Sequence, residues 1–290
     1  MNRQTKNLLE LKKRFDSAKQ GKESLLEKID EVELAEQVYN SNAIENSTLT
    51  LAETEKILLE QSVRREISVR ELYEAQNLSN VVTYLSSKKN QKVDYELILL
   101  LHRFLIGGIN DAIAGRIRKE GEFVRIADHI APASDDVKTL LEKAIEKYEQ
   151  DIESTFIQKI GWFHLEFERI HPFIDGNGRI GRVIINQQLS NLGFPPVIIR
   201  NKGKRDSYYP VFKSYQHTKD MRDTELMVNL IQLSLSESLY KRLAYLEGKE
   251  IIKLTDYARK AGLDPSSVLA KARRQTIEAF REKGSWKIGI

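Results

Sequence analysis

The sequence predicts a mainly α-helical protein, interrupted by one short β-hairpin and closed by a small module of different character. Three observations carry this reading. Gly and Pro are sparse, 15 and 6 in 290 residues, and they gather at a few boundaries. Apolar residues recur at helical spacing along most of the chain. Strict apolar–polar alternation is confined to one region near residues 116–126.

The elements follow in order. Leu8, Leu11, Phe15 and Ala18 share one helical face, and Val32, Ala35, Val38 and Tyr39 give the next helix. Thr50-Leu51-Ala52-Glu53 is a capping box that opens a helix through Ile57 and Leu58. Asp94 caps a helix through Leu97, Leu101 and Leu105 that stops near Gly107-Gly108. Arg116-Ile117-Arg118 and Glu122-Phe123-Val124-Arg125-Ile126 alternate around Lys119-Glu120-Gly121, which predicts a hairpin. A helix restarts near Ser134, after the Ala131-Pro132 loop. Ile160, Phe163, His164, Phe167 and Ile170 define the buried face of a further helix, with His164 packed in the core.

Composition narrows the chemistry. Hydrophobic residues make up 41% and charged residues 30%, as in a globular protein, and there is no cysteine. Disulfides, thiolate nucleophiles and Cys-ligated metals are excluded. His102, His129, His164 and His217 show no metal-ligand spacing. The charged start Met1-Asn2-Arg3-Gln4-Thr5-Lys6-Asn7 leads into no signal-peptide core. The apolar run Leu97-Ile98-Leu99-Leu100-Leu101 is far shorter than the roughly 20 residues of a membrane span. A cytoplasmic protein without membrane contact is expected. The net charge of +4 is uneven: from Lys241 to Ile290, 12 Lys or Arg face 6 Asp or Glu.

Residues 171–182 carry the chemistry. Gly176-Asn177-Gly178 precedes an apolar-periodic segment of Ile180, Val183, Ile184, Leu189 and Leu192. A glycine turn that opens a helix leaves backbone N–H groups aimed outward, and with the helix dipole they form an anion site. Glycine lets a phosphate approach the backbone closely. Arg179 and Arg182, three residues apart, are expected to project from one side as two guanidinium forks, enough for more than one phosphate. Asp175 is placed to hold Mg²⁺, which takes one or two carboxylates plus nucleotide phosphates. His171 can act as a general base near neutral pH. A Gly-Asn-Gly alone would be an ordinary turn. Base, carboxylate, glycine pair and two arginines within twelve residues are a nucleotide site.

The run His171-Pro172-Phe173-Ile174-Asp175-Gly176-Asn177-Gly178-Arg179-Ile180-Gly181-Arg182 resembles the Fic family motif, His-x-Phe-x-Asp/Glu-Gly-Asn-Gly-Arg-x-x-Arg, at every position. The resemblance extends over roughly residues 30–240 in order of elements. It implies a Fic-type helical core and an enzyme that transfers AMP from ATP to a Ser, Thr or Tyr hydroxyl of a target protein or of itself. In that reading His171 deprotonates the hydroxyl and Asp175 coordinates Mg²⁺. Gly176, Asn177 and Gly178 hold the α-phosphate, and Arg179 and Arg182 hold the outer phosphates. Gly178, where the kinase-like Doc branch has Lys, favours AMP transfer.

Ser41-Asn42-Ala43-Ile44-Glu45-Asn46 resembles a second motif of the family, Ser/Thr-x-x-x-Glu-Gly/Asn, which forms an inhibitory helix. By itself it reads as a helix end with Asn46 as cap. The resemblance implies that Glu45 pairs with Arg182 and occupies a phosphate ligand, or orients water for removal of AMP. The hairpin near residues 116–127 falls where the family holds the target segment by strand pairing. Tyr208 and Tyr209 fall where it contacts adenine.

The tail from Leu254 reads as helix, Gly262 turn, a second helix capped by Asp264 or Ser266, and a strand at Trp286-Lys287-Ile288. It resembles an excisionase-type winged helix-turn-helix, with Lys271, Arg273 and Arg274 on or after its second helix. That implies DNA contact; packing, dimerisation or target holding is the other use of such a module. The expected organisation is an N-terminal helical region over residues 1–90 with the inhibitory helix at about 33–46, a core over 91–245 and the module over 249–290. The competing functions are a DNA-binding regulator that uses the core as a nucleotide sensor, and transfer of another phosphate-containing group. Homo-oligomerisation is left open.

Overall fold

In the computed structural model, residues 3–59, 66–88, 90–126, 129–218 and 224–290 are described. The order is α1 (Arg3–Ala18), α2 (Glu23–Ile44), α3 (Leu51–Leu58), α4 (Val69–Ser86), α5 (Tyr95–Ile106), β1 (Arg125–Ile126), β2 (His129–Ile130), α6 (Ser134–Gln150), α7 (Phe156–Ile170) and α8 (Asn177–Asn191). It continues with α9 (Lys204–Ser207), α10 (Tyr209–Thr218), α11 (Glu225–Leu246), β3 (Ile251–Lys253), α12 (Leu254–Lys260), α13 (Pro265–Arg273), β4 (Ala279–Glu282) and β5 (Ser285–Gly289). The fold is mainly helical, as the glycine and proline distribution predicts. No described helix is long and apolar enough to cross a membrane.

The chain forms two compact units, and two of their boundaries fall inside α2 and α11, the others between α8 and α9. One holds residues 37–194 and 199–230; the other holds residues 1–36, 195–198 and 231–290. The sequence boundaries at 90 and 245 differ from these. Long helices carry no local signal where their packing partners change.

The first of these units is built around α7. Thr155 and Gln158 close a capping box at its start. Ile157, Ile160, Phe163, Leu165, Phe167 and Ile170 are buried along it. It packs on α6 and α8, whose Val137, Leu141, Ile180, Ile184 and Leu189 are also buried. Each such side chain contributes about 1.5–3 kcal/mol of burial, so α7 and the start of α8 form a stiff base for the loop between them. The helix starts legible in the sequence are present: Thr50 with Glu53 for α3, and Asp94, which accepts from the Leu97 N–H at 2.8 Å, for α5. Ser68 caps α4 as well.

The hairpin forms further along the chain than the alternation indicates. Its strands are β1 and β2, paired antiparallel with Arg125 opposite Ile130, and not residues 116–118 with 122–126. Residues 119–122 make a tight turn instead, closed by the Glu122 N–H to the Lys119 carbonyl at 3.0 Å. The alternating charges there have another cause: Arg116 and Glu122 form a two-bond ion pair at 2.7 and 2.8 Å. Ala127 and Asp128, between the strands, lie outside the described residues.

In the other unit β3, β5 and β4 form an antiparallel sheet in that order, with Ile252 opposite Ile288 and Phe280 opposite Lys287. Leu254, Ala258, Val268, Ala272, Ala279 and Ile288 make its small core with α12 and α13. Asp264, rather than Ser266, caps α13, accepting from the Ser267 N–H at 2.7 Å. A buried charge network missed in the sequence ties α2 to α11: Arg242 pairs with Asp30 and, at 2.7 Å, with Glu33, while Lys241 meets Glu33 at 3.0 Å.

Candidate nucleotide site

His171 is the first residue past α7, and its backbone is left-handed, with φ 49° and ψ 64°. That conformation ends the helix and turns the chain toward α8. The His171 Nδ1 lies 3.2 Å from the carbonyl oxygen of Glu168. A carbonyl only accepts, so the hydrogen sits on Nδ1 and Nε2 is the basic nitrogen.

A buried arginine holds this turn. Arg118 is 2% exposed. Its guanidinium donates to the carbonyls of His171 at 2.8 Å, Pro132 at 2.9 Å, Glu122 at 3.1 Å and Ile170 at 3.3 Å. Its backbone N–H donates to Pro172 at 2.9 Å. The sequence places Arg118 in a strand; it is instead a clamp on both sides of His171. Burial pulls its pKa below the usual arginine value, with Glu122 acting in the opposite sense.

Asn177 closes the loop itself. Its amide accepts from the Phe173 N–H at 2.9 Å and donates to the Phe173 carbonyl at 2.8 Å. Phe173 stacks on His102 with ring centroids 3.7 Å apart. His102 accepts from the Gly115 N–H at Nδ1 (3.0 Å), so its Nε2 carries the hydrogen and donates to the Asp175 carbonyl at 3.1 Å. Burial lowers the His102 pKa to about 4, so the ring is neutral. In the sequence His102 follows an apolar run and lacks metal-ligand spacing, and neither signal reveals its role.

Gly176, with φ 87°, is the N-cap of α8, so Asn177 and Gly178 are already helical. The glycine turn expected before the helix thus overlaps its first turn. The missing side chain of Gly178 matters for a different reason. A Cβ there would stand 2.2 Å from the Glu45 Oε1 and 3.0 Å from the Arg182 Nη1.

Asp175 lies in a ring of four charges. It meets Arg70 at 2.6 Å and Arg179 at 2.9 Å, while Glu74 meets Arg70 at 3.0 Å and Arg179 at 3.2 Å. Burial raises the Asp175 pKa, but Arg179 and Arg70 outweigh it and hold the group below the usual carboxylate range. An ionised, partly exposed carboxylate beside a helix N-terminus suits Mg²⁺ that is otherwise held by phosphates and water. Among the described residues no cluster of three or more His, Asp or Glu forms an all-protein metal cage.

Arg182 reaches a different set of partners from Arg179. Its guanidinium is buried and donates to the Ser41 hydroxyl at 3.0 Å, the Ser41 carbonyl at 2.9 Å, the Glu45 carboxylate at 2.8 Å and the Tyr208 hydroxyl at 3.3 Å. Burial opposes its charge, but Tyr208 and Glu45 raise its pKa overall. Glu45 follows the last residue of α2, where the chain makes a Schellman turn. The Asn46 N–H meets the Ala43 carbonyl at 3.2 Å and the Ser47 N–H meets the Asn42 carbonyl at 3.1 Å. Asn46 takes the left-handed conformation this requires, φ 69°. A carboxylate at a helix C-terminus opposes the dipole. Lys204 offsets this by donating to the carbonyls of Ala43 and Ile44 at 2.9 and 2.8 Å, and to the Asn46 side chain at 3.1 Å. The Tyr209 hydroxyl adds a bond to the Ile44 carbonyl at 2.9 Å.

Tyr208 is 2% exposed, and its hydroxyl lies 2.9 Å from the His164 Nε2. Burial lowers the His164 pKa to about 3, keeping the ring neutral. The structure thus brings Ser41, Glu45, Asn46, Gly178, Arg182, Tyr208 and Tyr209 to one side of α8, and Asp175 with Arg179 to another. Arg118, His102, Arg70, Glu74 and Lys204 are members whose part in the site the sequence did not indicate. The side chains of His129 and His217 lie outside those described.

Comparison with known proteins agrees with this geometry. Residues 92–189 match the Fic/DOC family model. Over 189 residues the chain is 33% identical to a protein adenylyltransferase Fic of Nematostella vectensis, covering 62% of this chain and 43% of that protein. It is 32% identical over 181 residues to the protein of the same name from Drosophila melanogaster, covering 61% and 36%. The chain therefore spans about two fifths of the length of the curated relatives it matches. Among solved structures, a Fic domain-containing signaling protein from Bacteroides thetaiotaomicron aligns with TM-score 0.76 at 21% identity, over 84% of this chain and 98% of that one. Fic-1 from C. elegans aligns with TM-score 0.69 at 24% identity, over 83% and 70%. The helical fold, the loop at residues 171–182 and the sequence match agree: residues 92–189 are similar to the Fic/DOC family, and the fold is that of Fic structures.

Proposed function

We propose that this chain is a nucleotidyltransferase that moves AMP from ATP to a Ser, Thr or Tyr hydroxyl of a protein. The carrying observation is His171, held with Nδ1 protonated toward the Glu168 carbonyl in the loop that leads into α8. Nε2 takes the proton of the acceptor hydroxyl. The hydroxyl oxygen attacks the α-phosphorus, the bond to the pyrophosphate oxygen breaks, and its electron pair leaves with pyrophosphate. The Gly176–Gly178 backbone N–H groups face the α-phosphate, and Arg179 and Arg182 neutralise the outer phosphates. Asp175 would hold Mg²⁺, which supplies charge neutralisation at the phosphates. Tyr208 supports this site through Arg182 rather than through an exposed ring. Tyr209, 38% exposed, is the side chain of the pair that a base could reach.

With Glu45 on Arg182 a phosphate ligand is occupied, so we read the chain as autoinhibited in cis. Orientation of water by Glu45 for removal of AMP remains part of the same proposal. The exposed Phe123, before β1, and Ile130, on β2, at 79% and 69%, fit a target segment added along the hairpin edge. Lys271, Arg273 and Arg274 are exposed at the end of α13, which favours a second reading for residues 249–290 as a DNA contact. Transfer of labelled AMP by the Glu45→Gly protein, lost in Glu45→Gly/His171→Ala while ATP binding persists, is expected. Undiminished transfer without His171 would refute the base assignment. ATP binding with no transfer would favour the nucleotide sensor.

A further inference from the structure

Glu168 stands one turn before His171 on α7; its carbonyl accepts from the His171 Nδ1, and its carboxyl points to the same side of the ring. Its side chain is 12% exposed, and its Oε2 lies 3.8 Å from the His171 Nδ1, inside ion-pair range. Its Oε1 is buried with no hydrogen-bond partner among the described residues. Facing it on α8 is Gly181, where a Cβ would stand 2.7 Å from that oxygen. A glycine is therefore required to admit a carboxyl that makes no structural hydrogen bond with Oε1. An amide or apolar side chain would satisfy packing at lower cost.

We propose that Glu168 is a positioning residue for His171, holding the imidazole by its Nδ1 side and stabilising the imidazolium formed when Nε2 takes the acceptor proton. The inference rests on the reading of the chain as an AMP transferase. Glu168 accepts no proton in the step; its carboxylate only lowers the energy of the charged ring. The groups facing it are His164 from α7, His171 just past it, Glu45 from the end of α2, Arg182 from α8, and Tyr208. Burial first, and then Glu45, push the Glu168 pKa up to about 8, while Arg182 pulls it down. Glu45 thus acts twice. It occupies Arg182, and it favours the neutral form of Glu168. When Glu45 leaves, Glu168 ionises more readily and His171 gains its counter-charge.

The test uses the full chain in the Glu45→Gly background with labelled histidine, His171 being assigned by its loss in His171→Ala. Glu168→Gln, which keeps the shape, is expected to lower the pH at which His171 titrates. The acid limb of the transfer rate should move down with it, and the plateau rate should fall about tenfold for a weaker base, at unchanged KM for ATP. Glu168→Asp should recover part of both. An unchanged His171 titration, or a loss expressed only in the KM for ATP, would overturn the proposal. Should the Glu45→Gly parent transfer no AMP, the functional reading falls, and the His171 titration still decides the role of Glu168.

Discussion

The Arg182 guanidinium donates to the Glu45 carboxylate at 2.8 Å, across 137 positions of chain, while Glu45 rests against the bare Cα of Gly178. One carboxylate thereby touches both a proposed phosphate ligand and the proposed phosphate-binding turn. The contact is maintained from behind by the Schellman turn at Asn46 and by Lys204 on the last carbonyls of α2. Ser41 adds two bonds to the same arginine from one helical turn earlier.

Gly178→Ala should break this contact by steric conflict, since its Cβ would stand 2.2 Å from the Glu45 Oε1. The expected cost is about 1–3 kcal/mol, as for overpacking, and it should largely vanish in the Glu45→Gly background. A double-mutant cycle from denaturant unfolding measures the coupling. Equal costs in both backgrounds would mean that Gly178 answers to something other than Glu45.

Arg118→Met should loosen the His171 turn. Four carbonyls lose a buried cationic donor, and the stability loss should be about 3 kcal/mol or more. The rate of AMP transfer should fall even below the unfolding temperature, because the backbone at His171 is no longer fixed. A variant of normal rate would show that the loop holds itself.

Arg70→Ala should ease metal binding. Arg70 pairs with the Asp175 Oδ2 at 2.6 Å and is largely exposed, so it competes for a carboxylate oxygen at little structural cost. Titration of the ATP-bound protein with Mg²⁺ should show half-saturation at a lower concentration than in the parent, by up to about fivefold for an exposed pair. No change would place the metal on the other Asp175 oxygen.

Stability should slope with pH on both sides of neutrality, for different residues. The folded-state pKa values of His102 and His164 are lowered to about 4 and about 3 from 6.5, so the unfolded chain binds more protons and stability falls as pH drops from 6.5 toward those values. Glu168 is raised to about 8 from 4.5, so the folded chain keeps a proton that the unfolded chain releases, and stability falls as pH rises from 4.5 to 8. Glu168→Gln should remove only the second slope, stabilising more at pH 8 than at pH 5 by a difference on the order of a few kcal/mol. Thermal melts at the two pH values measure it.

Much of the site was legible because its chemistry is contiguous. His171, Asp175, the glycines, Arg179 and Arg182 lie within twelve residues, and a loop leading into a helix keeps such residues together whatever surrounds it. Ser41 and Glu45 were readable only beside that motif. Arg118, His102, Glu74, Lys204 and Glu168 acquire their roles from partners that packing brings near, and no spacing marks them. The hairpin register was misplaced because charge alternation at Arg116 and Glu122 came from an ion pair across a turn, which imitates the period of a strand. Arg179 and Arg182, expected to project from one side, are paired with different helices, Arg179 with Glu74 of α4 and Arg182 with Ser41 of α2, a division that their spacing does not reveal.

The most direct test of the account is the initial rate of labelled AMP incorporation by the full-length protein and by its Glu45→Gly variant, at equal ATP and Mg²⁺. Removing a charge-assisted bond of about 1.5–3 kcal/mol predicts a rise of roughly ten- to a hundredfold. Equal rates in the two proteins, with both folded and both binding ATP, would contradict the claim that Glu45 holds this site shut.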